Sequence, residues 1–309
     1  MKNKIIVVAG PTGVGKTKYA IELAKKNGGE IVSLDSVQVY KHLDIGSAKP
    51  SKDELSEIKH YMIDEVEPSV NLNVKQFKDL ASKYIDKIIE SGKTPILVGG
   101  TGFYIRAVLY DTDFMEEDEI ESKNIREKLN KELDEKGIDF IFDKLKAIYP
   151  ESATLIPKEN ERRVIRAIEF YELHKMPIST HNKIERKKDS KYDFDFYVLN
   201  CDREVLYDRI NQRVDKMIED GLLLEVKKLI DMGLSKDLNS MRSIGYSELY
   251  DFCKAREAIT NISALDSMSK LELDVIIDLI KQHSRNYAKR QITWFKAQDK
   301  IQWINVSKI

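Results

Sequence analysis

The sequence has very little cysteine: its 309 residues include only Cys201 and Cys253, and no pair is spaced C-x-x-C. This scarcity argues against a disulfide framework or a cysteine-built zinc site, and it suits a reducing cytosol. Long hydrophobic runs are also missing, since no stretch approaches the ~20 apolar residues of a transmembrane helix. The apolar run near the N-terminus is too short for a secretion signal. We therefore expect a cytoplasmic protein that does not engage a membrane.

Charge of one sign is equally scarce. The 51 Lys and Arg residues nearly balance the 52 Asp and Glu residues, which leaves a formal net charge of −1. No overall basic character points to nucleic acid, so a site for a polyanion must be a local patch. The hydrophobic fraction of 42% is enough for a sizeable core, and the length suits one large domain or two smaller ones.

What the sequence does have is the string GPTGVGKT at residues 10–17, directly after the apolar run IIVVA. This order predicts a strand, a glycine-rich loop and a helix, and the spacing G-x-x-x-x-G-K-T is that of a phosphate-binding P-loop. Lys16 would supply a mobile positive charge, and Thr17 a hydroxyl suited to Mg²⁺. The residues expected to cradle the phosphates are Gly10, Pro11, Thr12, Gly13, Val14, Gly15, Lys16 and Thr17. The motif predicts a di- or triphosphate without saying which, and a glycine turn without a ligand is the alternative.

Short runs rich in β-branched and aromatic residues alternate with helical patterns, which predicts a P-loop NTPase-like α/β core with a parallel sheet. The predicted strands cover residues 4–9, 31–34, 95–98 and 194–199. Residues 112–191 differ, because they are rich in Lys and Glu, have helical periodicity and contain no convincing strand. We interpret them as a helical subdomain inserted into a catalytic core that is formed by residues 1–111 and 192–309.

Asp35 follows the second predicted strand, at the edge where ligands of open α/β sheets bind. Three interpretations are open: a carboxylate that holds Mg²⁺, a general base that faces an acceptor substrate, or an ordinary polar residue that ends the strand. Close by, Gln38 could pair with an adenine edge or simply lie on the surface. This stretch alone does not decide among them.

A second turn of interest is GGTG at residues 99–102, after the third predicted strand. Its glycines let the backbone approach a ligand closely, and Thr101 would lie beside the P-loop if the two strands are neighbours. On local sequence alone, a tight turn between a strand and a helix is the more frequent explanation.

Local basic patches occur on two predicted helices. The string ERRVIRA at residues 161–167 places three arginines within about one helical turn. The last helix, predicted over 270–297, carries Lys281, Arg285 and Lys289 with aromatic residues between them. Such a stripe can track a phosphate backbone, although a solvated helix face is the more common explanation for each patch alone.

Arginines also occur on the helix predicted over residues 203–218. Arg209 and Arg213 are one turn apart there, and arginine from such a helix can close over a transferred or departing phosphate. Surface ion pairs are the alternative, and without further context they are the more frequent outcome.

The order and wording of the strings favour one function. GPTGVGKT is followed by SLDSVQVYKHLDIGSAKP, HYMIDEVEP, GGTGFYIRAVL, RRVIRAIEFY, GLLLEVKKL, SIGY and RNYAKRQITWF. This series closely resembles the tRNA dimethylallyltransferase (isopentenyl-tRNA transferase) family, from residue 5 to about residue 297. That family transfers a dimethylallyl group from its diphosphate to N6 of the adenine just 3′ of a tRNA anticodon.

The resemblance implies that the P-loop grips dimethylallyl diphosphate, with Mg²⁺, rather than ATP. It implies that Asp35 hydrogen-bonds the adenine amino group and accepts its proton, and that Thr101 helps to place donor and acceptor. Arg213, with Arg209 beside it, would neutralise the departing diphosphate. The adenine must leave its stack to reach the buried donor, so base flipping is expected.

The second implied partner is the tRNA anticodon stem-loop. Residues that the resemblance assigns to tRNA contact are Asp35, Ser36, Val37, Gln38, Thr101, Glu159, Asn160, Glu161, Arg162, Arg163, Arg242, Gly245 and Arg285. The chain departs from the family pattern at Tyr61 and at Glu159-Asn160. We expect it to act as a monomer. The alternative activity is a P-loop kinase for a nucleotide or small metabolite, and the alternative without catalysis is a nucleotide-switched RNA-binding module.

Overall fold

The chain divides into two compact units in the computed structural model, which describes residues 2–256 and 265–307. One unit contains residues 1–111 and 191–309, and the other contains residues 112–190. The first unit combines a sheet with helices, whereas the regular structure of the second is helical.

The first unit is built on a six-stranded parallel sheet, which confirms the predicted α/β, P-loop NTPase-like core. Its strands are β1 (Lys4–Ala9), β2 (Gly29–Ser33), β3 (His60–Tyr61), β4 (Thr94–Gly99), β5 (Asp193–Asn200) and β6 (Gln302–Asn305). Their order is β3-β2-β4-β1-β5-β6, so β1 and β4, which precede the P-loop and the GGTG turn, are direct neighbours. The sequence does not predict β3 and β6, because one has two residues and the other is largely exposed.

Twelve helices are assigned in the part of the chain that the structure describes. They are α1 (Lys16–Asn27), α2 (Lys52–Glu57), α3 (Val74–Glu90), α4 (Gly102–Leu109), α5 (Glu119–Ile148), α6 (Pro150–Leu155), α7 (Glu161–His174), α8 (Ile178–Arg186), α9 (Arg203–Glu219), α10 (Leu222–Asp231), α11 (Tyr246–Lys254) and α12 (Ser267–Lys296). None of these helices combines the length and the apolar character needed to cross a membrane.

Both faces of the sheet are covered, because alternate residues of a strand point to opposite sides. On β1, Ile5 and Val7 belong to one hydrophobic cluster, while Ile6 and Val8 belong to another. All four side chains are buried. The continuous apolar run that predicts this strand from sequence is therefore the consequence of helices packing on both sides.

Helix α12 packs on the GGTG turn between β4 and α4. A Cβ atom at Gly100 would collide with Nε2 of Gln291, and one at Gly102 would collide with the Trp294 ring. Neither glycine has a positive φ, so the requirement at these two positions is for space rather than for backbone freedom. These glycines admit side chains of α12, which is a packing role, and the close approach of a ligand to them stays a prediction.

This packing makes Gly102 a sensitive position. Gly102→Ala is expected to lower the free energy of unfolding by about 1–3 kcal/mol, although alanine is the better helix former, because the added methyl overpacks the contact with Trp294. Chemical denaturation measures the loss. In a Trp294→Leu background, the same substitution should lower the free energy of unfolding much less. Equal losses of stability in the two backgrounds would show that the ring is not the obstacle.

The second unit has its own core between α5 and α7. Leu129, Leu145, Val164 and Ile168 are fully or almost fully buried there. Helix α5 is interrupted at Gly137, whose φ of 80° and ψ of 171° are not helical. The unit is therefore a helical bundle with a hydrophobic core of its own.

Arg166 of α7 is turned inward within this unit. Its guanidinium donates two hydrogen bonds to the Glu117 carboxylate and lies 3.1 Å from Oε1 of Glu169, which is 1% exposed. Of the three arginines of ERRVIRA, Arg166 is thus engaged by carboxylates of its own unit. Arg162 and Arg163 are exposed, so they are the two arginines of this cluster that a polyanion can contact.

Candidate active site

The P-loop joins β1 to α1 as the glycine pattern predicts. Gly13 and Gly15 have φ values of 79° and 93°, in the left-handed region that glycine adopts without strain. Gly15 is the residue that precedes α1, and the N–H groups that follow it have no partner within the helix. With the helix dipole, these amides make the start of α1 a site for an anion.

Lys16 provides the mobile charge of this site. Its Nζ donates a hydrogen bond to the Pro11 carbonyl at 2.9 Å. Burial, and then the positive charge of Arg213, lower the pKa of Lys16 to about 8, while Asp35 acts in the opposite direction. Two cations held close together without a counter-ion of equal charge create a strong demand for an anionic ligand.

The lowered pKa of Lys16 gives a testable pH dependence. A bound anion favours the protonated amine, so affinity for inorganic pyrophosphate should fall as the pH rises through 8, by at most ~10-fold per pH unit. Calorimetric titrations across this range measure the effect. In Lys16→Met only the ionisation of the ligand remains, so pH profiles that coincide in the two proteins would contradict the assignment.

A cavity of about 530 Å³ opens beside the P-loop in the first unit. Sequence-predicted site residues that line it are Thr12, Gly13, Gly15, Lys16, Thr17, Asp35, Ser36, Val37, Gln38, Arg213, Arg242 and Gly245. Among the described residues on its wall, five cationic side chains face two carboxylates: Lys16, Lys18, Arg213, Arg242 and Arg290 against Asp35 and Glu54. The chain's near-zero net charge thus conceals a local excess of positive charge.

Other predicted residues do not line this cavity. Gly10, Pro11, Val14, Thr101 and Arg285 lie in the same unit but outside the cavity wall. A Cβ atom at Gly10 would lie 2.7 Å from the Leu199 carbonyl, so this glycine is required by the packing of the loop against the end of β5. Residues 159–163 belong to the second unit, where Asn160 caps α7 by accepting a hydrogen bond from Arg163 N–H at 3.3 Å.

Asp35 follows β2 and is half-buried on the cavity wall. Its Oδ1 accepts hydrogen bonds from the amides of Val37 at 2.9 Å and Gln38 at 3.2 Å. This turn fixes the carboxylate, while Oδ2 accepts no hydrogen bond from the described residues. The arrangement leaves one carboxylate oxygen available to a proton donor in the cavity.

The Gln38 amide is engaged within the protein. Its Oε1 accepts a hydrogen bond from Ser33 Oγ, and its Nε2 donates to the carbonyls of Ser47 and Ala48 at 3.3 and 3.1 Å. Gln38 therefore ties the turn after β2 to the loop at residues 44–48. Its predicted contact with adenine stays a prediction.

Glu225 of α10 holds the same loop from its other side. Its carboxylate accepts hydrogen bonds from the amides of Asp44, Ile45 and Gly46 at 2.8–3.1 Å and from the Tyr246 hydroxyl at 2.6 Å. Glu225 and Tyr246 come from the strings GLLLEVKKL and SIGY. These strings thus shape the cavity wall, a function that local sequence does not reveal because the partners are far apart in the chain.

Thr101 precedes α4 and reaches the cavity through Tyr287. The hydroxyl oxygens of the two residues lie 3.1 Å apart, and Tyr287 is on the cavity wall. Burial raises the pKa of Tyr287, so its hydroxyl stays protonated at neutral pH and can donate a hydrogen bond. Thr101 is therefore one hydrogen bond away from the wall rather than part of it.

The basic stripe of α12 is partly used to bind α9. Lys281 forms an ion pair with Asp215 at 2.6 Å, and Arg285 donates to Asn211 Oδ1 at 2.6 Å. Phe295 is completely buried. Lys281 and Arg285 are thus engaged with α9, whereas Arg290 is exposed and lines the cavity.

Helix α9 supplies one of the two predicted arginines. Arg213 lines the cavity, where burial lowers its pKa and Asp35 opposes that shift. Arg209 is not on the cavity wall, so Arg213 is the arginine of this pair that lines the cavity. Ile210, Val214 and Met217 of the same helix give the cavity an apolar side.

The residues present suit Mg²⁺ that arrives with a phosphorylated ligand. Thr17 contributes a hydroxyl at the start of α1, on the cavity wall. Among the described residues there is no group of three His, Cys, Asp or Glu side chains that could hold a metal ion alone. Mg²⁺ is commonly held by few protein ligands together with phosphate oxygens and water, and Thr17 fits that pattern.

The parallel sheet, the glycine loop and the helix that follows it define a protein of the P-loop α/β class. A family model described as IPP transferase matches residues 38–298. Relatives named tRNA dimethylallyltransferase include that of Acetivibrio thermocellus, which is 45% identical over 98% of this chain and 92% of its own. That of Lachnoclostridium phytofermentans is 42% identical over 97% of this chain and 91% of its own.

Solved structures agree with this match. The tRNA isopentenylpyrophosphate transferase of Bacillus halodurans is 39% identical with a TM-score of 0.68, over 98% of this chain and 90% of its own. A eukaryotic dimethylallyltransferase acting on tRNA is 27% identical with a TM-score of 0.78, over 99% of this chain and 74% of its own. The chain therefore belongs to the IPP transferase family, which confirms the resemblance found in its sequence.

Proposed function

We propose that this chain transfers a dimethylallyl group from dimethylallyl diphosphate to N6 of the adenine that follows the anticodon of tRNA. Membership in the family establishes the class, a tRNA-modifying prenyltransferase. The observation that carries the finer statement is a single cavity that joins phosphate-binding groups, an apolar side and a carboxylate. A monomer acting in the cytosol is part of the proposal.

The donor would lie with its diphosphate on the P-loop. Amides at the start of α1, the Lys16 amine and the Arg213 guanidinium supply hydrogen bonds and positive charge to the two phosphates. The five-carbon chain would extend along the apolar side formed by Ile210, Val214 and Met217. Mg²⁺ held by Thr17 and the phosphate oxygens would add charge stabilisation when bound.

In the reaction, the adenine N6 lone pair forms a bond to C1 of the dimethylallyl group while the bond from C1 to the diphosphate oxygen breaks. The electrons of that bond leave with the diphosphate, whose charge Lys16 and Arg213 stabilise. Asp35 accepts the proton that N6 loses, through the oxygen that the turn after β2 leaves unoccupied. Charge and atoms balance without a further reactant.

For tRNA, the proposal assigns the phosphate contacts to exposed cations. Arg242 and Arg290 lie at the cavity in the first unit, and Arg162 and Arg163 are exposed on α7 of the second. Such contacts position the anticodon stem-loop without reading sequence. The target adenine would leave its stack and enter the cavity, where its N6 atom would come close to C1 of the donor.

A kinase remains the second candidate because of the P-loop itself. The end of β4 and the turn after it carry Gly99, Gly100 and Thr101, with no carboxylate of the kind that a kinase uses to hold Mg²⁺ or to accept a proton. A single assay separates the two. The protein is incubated with bulk tRNA and either labelled dimethylallyl diphosphate or labelled ATP, and the digested nucleosides are analysed.

We expect labelled N6-(dimethylallyl)adenosine when the prenyl donor carries the label, and no labelled nucleoside when ATP carries it. Phosphorylated product from ATP and no prenylated adenosine would overturn the proposal. Lys16→Met serves as the control. Methionine is similar in length to lysine but lacks the positive charge that stabilises the departing diphosphate.

A further inference from the structure

The side chain of Gln291 in α12 lies between the P-loop and the GGTG turn. Its Oε1 accepts a hydrogen bond from the Thr12 N–H at 2.9 Å, and its Nε2 donates to the Gly100 carbonyl at 3.0 Å. The residue is 6% exposed and lies on the cavity wall together with Thr12 and Gly100. Since a Cβ atom at Gly100 would collide with Nε2, glycine at that position is what lets the amide fit.

The bridge withdraws one amide from the phosphate cradle. Thr12 is in the part of the loop that precedes the turn into α1, and its N–H is used by Gln291 rather than left for a ligand. The amides from Gly13 to Thr17 have no such bridge, and those at the start of α1 lack intrahelical partners. The cradle that remains is centred on the start of the helix.

The place of the bridge decides which phosphate chains fit. Strands β1 and β4 are paired, with Ala9 opposite Gly99, so the loops that follow them run side by side. In P-loop proteins that bind triphosphates, the loop and its lysine together span successive phosphates. A third phosphate that extended from α1 toward these two loops would meet the Gln291 amide and the Gly100 carbonyl, and it would lack the Thr12 N–H as a donor.

We infer that Gln291 is a specificity-determining residue that restricts the P-loop to diphosphates. It fills the place of a third phosphate and occupies the amide that would bind one. The inference rests on the proposed function and deepens it, because it states how the P-loop of this chain refuses nucleoside triphosphates.

The test uses inorganic pyrophosphate and inorganic tripolyphosphate as probes, with Mg²⁺, on the full chain. Dissociation constants from calorimetry are compared for the wild type, Gln291→Ala and Gln291→Asn, whose amide is one methylene too short for the bridge. Gln282→Ala, at an exposed glutamine of the same helix, is the matched control. Thermal melting shows which variants are folded, and the two substitutions at residue 291 give two independent chances of a folded protein.

The wild type should prefer pyrophosphate. In the variants at residue 291 the preference should shift toward tripolyphosphate by about tenfold, as expected for one recovered hydrogen bond to a charged group. Gln282→Ala should keep the wild-type ratio. Equal weakening of both probes, or an unchanged ratio, would reduce Gln291 to a packing residue and overturn the inference. A wild type that binds neither probe would instead refute the proposed function.

Discussion

Asp35→Asn is expected to lower kcat for tRNA prenylation by about 10²–10⁴-fold, while KM for dimethylallyl diphosphate changes little. Asparagine keeps an Oδ1 that can accept the amides of Val37 and Gln38, so the turn after β2 is preserved. It replaces the second carboxylate oxygen by an NH₂ group, which cannot accept the proton from N6. Steady-state kinetics with saturating tRNA measure both constants.

The matched control for this substitution is Asp53→Asn, at an exposed aspartate in the first turn of α2. It should leave both constants near the wild-type values. Near-normal kcat in Asp35→Asn would remove Asp35 from the chemistry.

Arg213→Gln should have the second largest effect, a loss of about 10²–10³-fold in kcat. The guanidinium lines the cavity, and its positive charge is one of the causes that lower the pKa of Lys16. Its charge matters most when the diphosphate departs, because negative charge builds up on the leaving oxygen. Pre-steady-state measurement of pyrophosphate release isolates that step.

Arg209→Gln is the natural comparison, since Arg209 lies one turn earlier on α9 and outside the cavity wall. Removing this charge should change the rate by less than about twofold, as for most substitutions away from a site. If Arg209→Gln and Arg213→Gln were equally impaired, long-range charge on α9 rather than contact with the diphosphate would explain the loss.

The architecture of the core could be predicted from the sequence because its signals are local. The run IIVVA before GPTGVGKT gives β1, the P-loop and α1, and the 112–191 composition marks a helical segment. The strands β3 and β6 lack such signals. They are short, and they are held by pairing with β2 and β5 rather than by any pattern of their own.

The cavity could be predicted only in part, because its wall is assembled from distant segments. The P-loop, Asp35 and Arg213 are found from motifs and from the resemblance. Gln291, Tyr287 and Glu225 act through partners far along the chain, so the strings that contain them indicate the family without indicating what each side chain does.

The ambiguity of the basic patches in the sequence has the same origin. Arg166 and Lys281 are basic residues on helices, and nothing local distinguishes them from residues that face solvent. The structure pairs them with Glu117 and Asp215, carboxylates supplied by other segments. When the total charge of a chain is nearly balanced, some residues of a basic patch form ion pairs within the protein. The number of basic residues in the patch is therefore an upper limit on the number that a partner can contact.

The most direct test is a crystal structure with the thiolo analogue of dimethylallyl diphosphate, in which sulfur replaces the oxygen of the scissile bond. The account predicts the diphosphate at the start of α1, in contact with Lys16 and Arg213, and the five-carbon chain along α9 with C1 facing Asp35. An analogue bound elsewhere, or one whose diphosphate avoids the glycine loop, would contradict it.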